Sequence, residues 1–385
     1  MDFAETVEQS MLREAVGKIA AGYGHGYFQA KVRDGGHSSE LWDDVARAGF
    51  VGVNLPEAHG GGGMGISELA IVAEELAAHG CPLMLLMVSP AICGEILARY
   101  GTPEQRQQWL PGLAGGETKM VFAITEPDAG SNSHRLSTVA SRDGEGWRIR
   151  GTKHFISGVD EADAILVVTR TGTDPSSGRG RLSLFIVDTD APGLRRSLIP
   201  LEIAAPEKQF VLFFDDVVVP AERLVGTEGD GLRQVFHGLN PERIIGAAGA
   251  NGMARYALAK AAEYAGQRRV WDRPIGAHQG IAHPLAVAKI EVELARLATQ
   301  KAAWAHDQGR PDAGETANMA KYAAAEASLH AIDAAIQTHG GNGFASEYGV
   351  ADLWGMARVL RTAPVSREMI LNHVAEHSLG LPRSY

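Results

Sequence analysis

"GWRIRGTKHFIS", residues 146–157, is rich in aromatic and β-branched residues, and it sits in a chain whose two ends are dominated by helical periodicity. It is one of five such runs. "MVFAIT" (120–125) precedes it, and "AILVVTRT" (164–171), "RLSLFIVDT" (181–189) and "QFVLFFDDVVV" (209–219) follow. The turn signal "RDGEG" (142–146) and the loop "GTDPSSGRG" (172–180) separate them, with no helical segment between strands. Strands joined in this way predict an antiparallel sheet rather than a helix-alternating parallel one.

On either side the period changes to that of helices. In "ISELAIVAEELAAHG" (66–80) apolar residues recur at three- and four-residue intervals behind Ser67, a candidate cap. After "VGTEGDGL" (225–232) come "ERIIGAAGANGMARYALAKAAEYAGQRR" (242–269), "IAHPLAVAKIEVELARLATQKAAWAH" (281–306) and "ETANMAKYAAAEASLHAIDAAIQTHG" (315–340). Three long amphipathic helices with short connections predict a bundle. The expected class is therefore α+β, with an all-α domain over 1–119, a central β-domain over 120–229 and a four-helix-bundle-like domain over 230–385.

Composition narrows the function classes. A chain of 385 residues, 45% hydrophobic and 21% charged, is long enough for two or three well-buried cores. Its net charge of −10 argues against a general nucleic-acid or anionic-membrane surface. Cys81 and Cys93 have neither CxxC spacing nor enough partners for a disulfide framework, which suits a reducing compartment. The opening "MDFAETVEQS" carries Asp2, Glu5 and Glu8 ahead of any basic residue, unlike a secretory or transit signal. The apolar stretch "CPLMLLMVSPAIC" (81–93) is broken by Pro82 and Pro90 and is too short to span a bilayer. The expected location is cytoplasmic.

Several motifs fail on context. "GGGGMG" (60–65) satisfies GxGxxG formally, but no βαβ pattern surrounds it and no acidic residue follows at the spacing a ribose needs. No phosphate loop, zincin or GxSxG signature is present. His373 and His377 stand one helical turn apart without a third ligand, so no metal is expected.

"FAITEPDAGSNS" (122–133) runs from an apolar strand into a tight turn built from Pro127, Asp128 and Gly130, offering backbone N–H groups and hydroxyls in one concavity. "GTKHFISG" (151–158) sets Phe155 and Ser157 on one side of a strand by simple alternation. "QRRVWDRPIGAHQ" (267–279) and "QTHGGNGF" (337–344) lie at the ends of bundle helices, and "PEAHGGGGM" (56–64) and "FDDVVVPAERLVGTEGDGL" (214–232) complete the series. Together, in this order and over nearly the whole chain, these stretches resemble the acyl-CoA dehydrogenase family.

The resemblance implies an FAD-dependent oxidoreductase that removes hydrogen across the α,β bond of an acyl-CoA thioester. Thr125, Gly130 and Ser131 match residues at the pyrimidine edge of the flavin. Phe155 matches a family Trp along the ring, Ser157 a hydroxyl near the reactive N5, and Ser366 a position on the cofactor side. Arg268, Gln279, Gln337, Gly340 and Gly341 match positions that bind the adenine and pyrophosphate end, normally from a neighbouring protomer. Glycines there allow close backbone approach to the pyrophosphate. Trp271 and Asp272 replace the family's common Phe-Gly. The resemblance further implies a homo-oligomer, a dimer of dimers, and an electron-transfer flavoprotein or similar acceptor.

Most members of the family carry their catalytic base in a Tyr-Glu-Gly-Thr stretch near the C-terminus. Here the matching stretch is "RTAPVSREM" (361–369), with Pro364 where the Glu would stand. A minority, including the isovaleryl-CoA and long-chain enzymes, place it in a Leu-x-x-Glu-Arg pattern, matched by Leu239, Glu242 and Arg243 in "GLNPERII" (238–245). The resemblance makes Glu242 the base, with Asn240, Arg243 and Ser131 on the substrate side. The residues alone allow a plainer reading: Asn240 as N-cap, Pro241 at the first helical position, and Glu242 favoured there by the helix dipole by about 0.3–1 kcal/mol. Pro364 also lacks the N–H that the family uses on the thioester carbonyl, so either Val365 N–H replaces it or the activity differs. Two alternatives follow: a flavin-dependent oxygenase or N-hydroxylase on the same scaffold, and a catalytically impaired partner subunit of a hetero-oligomer.

Overall fold

The computed structural model describes residues 4–383; Asp2 of the acidic opening lies outside them. A first group of helices comprises α1 (Val7–Ala21), α2 (Gly24–Asp34), α3 (Ser39–Arg47), α4 (Ile66–Ala78), α5 (Leu85–Val88), α6 (Glu95–Tyr100) and α7 (Pro103–Gly115). Thr6 and Gln9 form a reciprocal capping box on α1, which satisfies orphan N–H groups at its start. The expected Ser67 cap is corrected. The N-cap is Gly65, two residues earlier, and Asp307 accepts from the N–H groups of Ile66 and Ser67 at 2.8 and 3.0 Å. A carboxylate from a distant helix thus does what the local hydroxyl was expected to do.

The strands are β1 (Met120–Ala123), β2 (Val139–Asp143), β3 (Gly146–Ser157), β4 (Ala164–Thr173), β5 (Gly180–Asp188), β6 (Leu194–Ile199), β7 (Gln209–Val219) and β8 (Leu224–Val225). They form one eight-stranded sheet in the order β6-β7-β3-β2-β4-β5-β8, with β1 beside β4. Its pairings are mainly antiparallel, as the turn signals predict; β1 runs parallel to β4, and β2 meets β4 parallel at a single pair. Between Lys153 and Ile156 the register of β3 on β7 shifts by a bulge. Strict alternation therefore fails there: Lys153 is buried while Phe155, two residues on, is exposed.

The bundle consists of α8 (Gly231–Gln267), α9 (Gln279–Asp307) and α10 (Ala313–His339), followed by α11 (Asp352–Val359) and α12 (Arg367–His373). The reading of Asn240 as an N-cap is also corrected. The helix begins at Gly231, so Pro241 is an interior proline and Glu242 lies well beyond the first turn. Its position therefore owes nothing to the terminal dipole, whose effect is confined to the first turn. An interior proline removes one backbone hydrogen bond, to the His237 carbonyl by position, and tends to kink its helix.

α8 packs closely on α4, where a Cβ at Gly252 would fall 2.2 Å from the Glu74 carbonyl oxygen and 2.6 Å from Ala77 Cβ. Gly252→Ala should therefore destabilise the protein by about 1–3 kcal/mol. At Gly249 a Cβ would meet nothing within 4 Å, so Gly249→Ala should stabilise by about 0.5–1 kcal/mol. Denaturant unfolding of the two variants checks both signs.

Candidate active site

The turn after β1 is held from beneath by a buried ion pair. Lys153 Nζ donates to Glu126 Oε1 and to the Ile124 carbonyl, both at 2.9 Å. The Glu126 carboxylate also accepts from the Ser137 N–H and hydroxyl and from the Thr138 N–H. Burial pushes this carboxyl up, but the Lys153 ammonium and those donors outweigh it and hold it at about 2. Above this anchor, Thr125 is half-buried and Gly130 and Ser131 face outward, with nothing within 4 Å of a Cβ built on Gly130. Phe155, 52% exposed, sits at the bulge with φ 57°, a conformation that non-glycine residues adopt rarely and mostly where the surroundings over-determine them. Ser157 Oγ bonds the Gln209 amide, whose nitrogen reaches Met84 Sδ at 4.0 Å.

α5 and a wide turn of π-helix (Ser89–Gly94) connect this strand end to α8. A Cβ on Gly246 would meet Met87 Sδ at 3.5 Å and Leu360 Cδ2 at 3.8 Å. One turn before Gly246 stands Glu242, partly accessible, whose carboxylate neither hydrogen-bonds nor ion-pairs with any described residue. Burial pushes that carboxyl up to about 7, against the pull of Arg243 and Lys321. Arg243 is buried; Nη1 donates to Asn240 Oδ1 at 2.9 Å and Nε has no partner. Asn240 thus orients the guanidinium instead of capping a helix. Pro364 lies in the loop between α11 and α12, where Lys321 Nζ of α10 donates to the Val365 carbonyl at 2.6 Å. Ser366 caps α12, its hydroxyl accepting from Met369 N–H at 3.2 Å.

Arg268, Gln279, Gln337, Gly340 and Gly341 gather at one end of the bundle, at the end of α8, the start of α9 and the end of α10, and all are exposed. Gly340 has φ 59°, and neither it nor Gly341 has anything within 4 Å of a Cβ. The hairpin between α8 and α9 turns through Trp271 and Asp272 with φ 46° and 68°, and Trp271 is 82% exposed. Left-handed backbone is uncommon at bulky residues, and here it holds Trp271 outward.

Comparison with known proteins covers nearly the whole chain. The models "Acyl-CoA dehydrogenase, N-terminal domain", "middle domain" and "C-terminal domain" match residues 6–117, 121–217 and 229–379. The chain belongs to the acyl-CoA dehydrogenase family. It is 56% identical over 384 residues to acyl-CoA dehydrogenase FadE12 of Mycobacterium tuberculosis, covering 100% of this chain and 99% of that protein. Its backbone superposes with a TM-score of 0.94 on a glutaryl-coenzyme A dehydrogenase in complex with glutaryl-CoA (32% identity, covering 100% of this chain and 98% of that one). It superposes with a TM-score of 0.91 on an FAD complex of PigA (26% identity, covering 99% and 100%). The protein is an FAD-dependent acyl-CoA dehydrogenase, an oxidoreductase. The open turn at 125–131 and the outward aromatic at the β3 bulge suit the face and edge of a flavin in this acyl-CoA dehydrogenase. The bare glycine backbone at 340–341 suits a pyrophosphate.

Sequence reasoning missed Lys153, Gln209 and Lys321. Lys153 stands in a stretch singled out for its neighbours, and its signal was a lysine in a strand next to buried positions. Lys321 lies in an alanine-rich helix, where a cation reads as surface. Among the described residues no group of three or more His, Cys, Asp or Glu side chains is placed to hold a metal ion.

Lys153→Met leaves the Glu126 carboxylate buried without its cation, a loss of about 3–5 kcal/mol when such a pair is broken from one side. Calorimetry should show a lower unfolding midpoint, and the purified variant should retain less flavin. Because the Glu126 carboxyl is held below its ordinary 4.5, its contribution is complete above that pH and is lost as pH falls towards 2.

Proposed function

We infer that Glu242 is the base that takes the α-proton of the acyl-CoA. The observation that carries this reading is an unpaired carboxylate on α8, raised by burial to about 7 against the pull of Lys321, whose ammonium bonds the Val365 carbonyl beside Pro364, where the acid would otherwise stand. A base with its pKa near the working pH combines a useful deprotonated fraction with real proton affinity. FAD, when bound, accepts the β-hydrogen as hydride. The chain's own residues do the rest. Arg243, with a free Nε and no carboxylate partner, together with Asn240 and Ser131, orients the thioester end of the substrate. Val365 N–H, which meets no acceptor among the described residues, supplies the donor that Pro364 lacks for the thioester carbonyl. We assign Thr125, Gly130, Ser131, Phe155, Ser157 and Ser366 to the flavin end of the cofactor.

Arg268 lies 26 residues after Glu242 on one helix, or about 39 Å at the rise of an α-helix. For that reason we assign Arg268, Gln279, Gln337, Gly340 and Gly341 to the nucleotide end of a neighbouring protomer's FAD, in a homo-oligomer arranged as a dimer of dimers. Val287, Ile290, Leu294, Leu297 and Trp304 support self-association: they form an exposed apolar stripe along α9 at helical spacing. An electron-transfer flavoprotein is the proposed acceptor. The cytoplasmic location rests on the two free, buried cysteines; no described helix is long and apolar enough to cross a membrane. The limits 1–119, 120–229 and 230–385 remain our division of the chain.

Two outcomes follow. Glu242→Gln should retain its flavin but lose anaerobic bleaching by acyl-CoA esters. The wild-type bleaching rate should rise through about pH 7 to a plateau above it, since the base must be deprotonated; stopped-flow absorbance from pH 5.5 to 9 checks both. Leu294→Lys on the α9 stripe should lower the molar mass measured by light scattering and release FAD in step.

A further inference from the structure

Lys321 has no place in the chemistry so far, yet it is among the largest fully buried side chains of the molecule. An ammonium at 2% exposure carries a large desolvation cost, and it donates to a backbone carbonyl, Val365 O at 2.6 Å. That carbonyl belongs to the residue whose own N–H is the first donor after Pro364. We propose that Lys321 is a positioning residue for the dehydrogenation, holding the Val365 backbone against the thioester carbonyl and keeping a positive charge beside Glu242.

The proposal rests on the Glu242 reading and extends it. Three elements converge on that carboxylate. Arg243 comes from its own helix, Lys321 from α10, and Cys93 from the π-turn packed against α8, where a Cβ on Gly238 would fall 2.9 Å from the Ile92 carbonyl oxygen. The Cys93 thiol is pushed well above its ordinary range by burial and by Glu242, so it is neutral and adds no charge. Glu95, beside His237, lies on the α6 side of the helix. Lys321 is faced in turn by Arg243, Glu326 and, from α12, Glu368. Glu326 is engaged by Arg361 and Arg367, and α12 also brings His373 towards Arg243. Burial, helped by Arg243, lowers the Lys321 ammonium to about 8, so it is mostly charged at neutral pH.

Removing this cation withdraws support from the charged form of Glu242, so the carboxyl must become more basic. Losing the bond to Val365 frees the loop, which a structural fault elsewhere would not do selectively. The two effects are separable. Lys321→Met loses both charge and bond; Lys321→Arg keeps the charge but carries a larger, planar head that misplaces the loop.

The test uses FAD-loaded enzyme and anaerobic bleaching by whichever of butyryl-, isovaleryl- and octanoyl-CoA reduces wild type fastest, followed from pH 5.5 to 9. In Lys321→Met the acid limb should move up by about one unit and the limiting rate fall roughly ten- to hundredfold. Lys321→Arg should keep the wild-type limb with a lower limiting rate. Hydrogen exchange of the amides at 361–367 should quicken in Lys321→Met with little change in the sheet. Should the Met variant lose its flavin, Lys321→Gln, neutral but able to donate, takes its place and should show the displaced limb. A wild-type limb in the neutral variants would overturn the proposal, as would a limb displaced equally in Lys321→Arg. Glu242→Gln in the same series separates the two ideas. If that variant bleaches at the wild-type rate, the base assignment has failed; if it is silent while the neutral variants titrate like wild type, only the role of Lys321 has.

Discussion

The contact between α4 and α8 fixes the rest of the molecule. Glu74 and Glu75, both buried on α4, accept hydrogen bonds at 2.8–2.9 Å from Arg13 of α1, Arg255 of α8 and Arg296 of α9. No one of these side chains can be removed without leaving a buried charge short of partners. Beside this cluster Gly252 lets the α8 backbone approach α4 so closely that any side chain would collide. Charge and packing together set the rotation and register of α8, and Glu242, about three turns earlier, is aimed by that register.

The same helix separates two functions by its length. The segment near Glu242 faces α5 and the α11–α12 loop, while its other end presents Arg268 beside the starts and ends of α9 and α10. On our assignment of the nucleotide-binding residues, a rigid helix of this length cannot lend both ends to one cofactor, so assembly is a condition for holding FAD. The apolar stripe on α9 and the strained Trp271 turn lie on the part of the chain that such an assembly would use.

What the sequence made legible followed from periodicity and turn chemistry. The β-block between helical zones, the three long helices and the turn at 125–131 all arise from local patterns, and the structure contains them. The failures share a cause in tertiary context. Asn-Pro-Glu reads as a helix start because each residue favours one, yet packing of Gly231 on Leu182 of β5 and of Gly238 on Ile92 and Ile96 carries the helix ten residues further towards the N-terminus. Ser67 reads as a cap, but Asp307 reaches it from 240 residues away. Alternation placed Phe155 on a face that a bulge then altered. Lys321 was invisible because nothing local marks a lysine whose partner is a backbone carbonyl 44 residues distant.

Two prolines lie in the stretches that carry the proposed reaction centre: Pro241, next to the base, frees the His237 carbonyl within α8, and Pro364, in the α11–α12 loop, offers no N–H of its own. On our reading the donor that Pro364 lacks is supplied by the Val365 peptide, with Arg243 beside it. Charge tells the same story. One partly accessible acid, Glu242, stands with two buried cations, Arg243 and Lys321. On our assignment of the base, Glu242 becomes neutral as it takes the α-proton, and negative charge developing at the thioester oxygen would lie between these donors before leaving with the β-hydrogen as hydride. Charge is moved across the site and none is created there, so no large solvent rearrangement is needed in a medium of low dielectric.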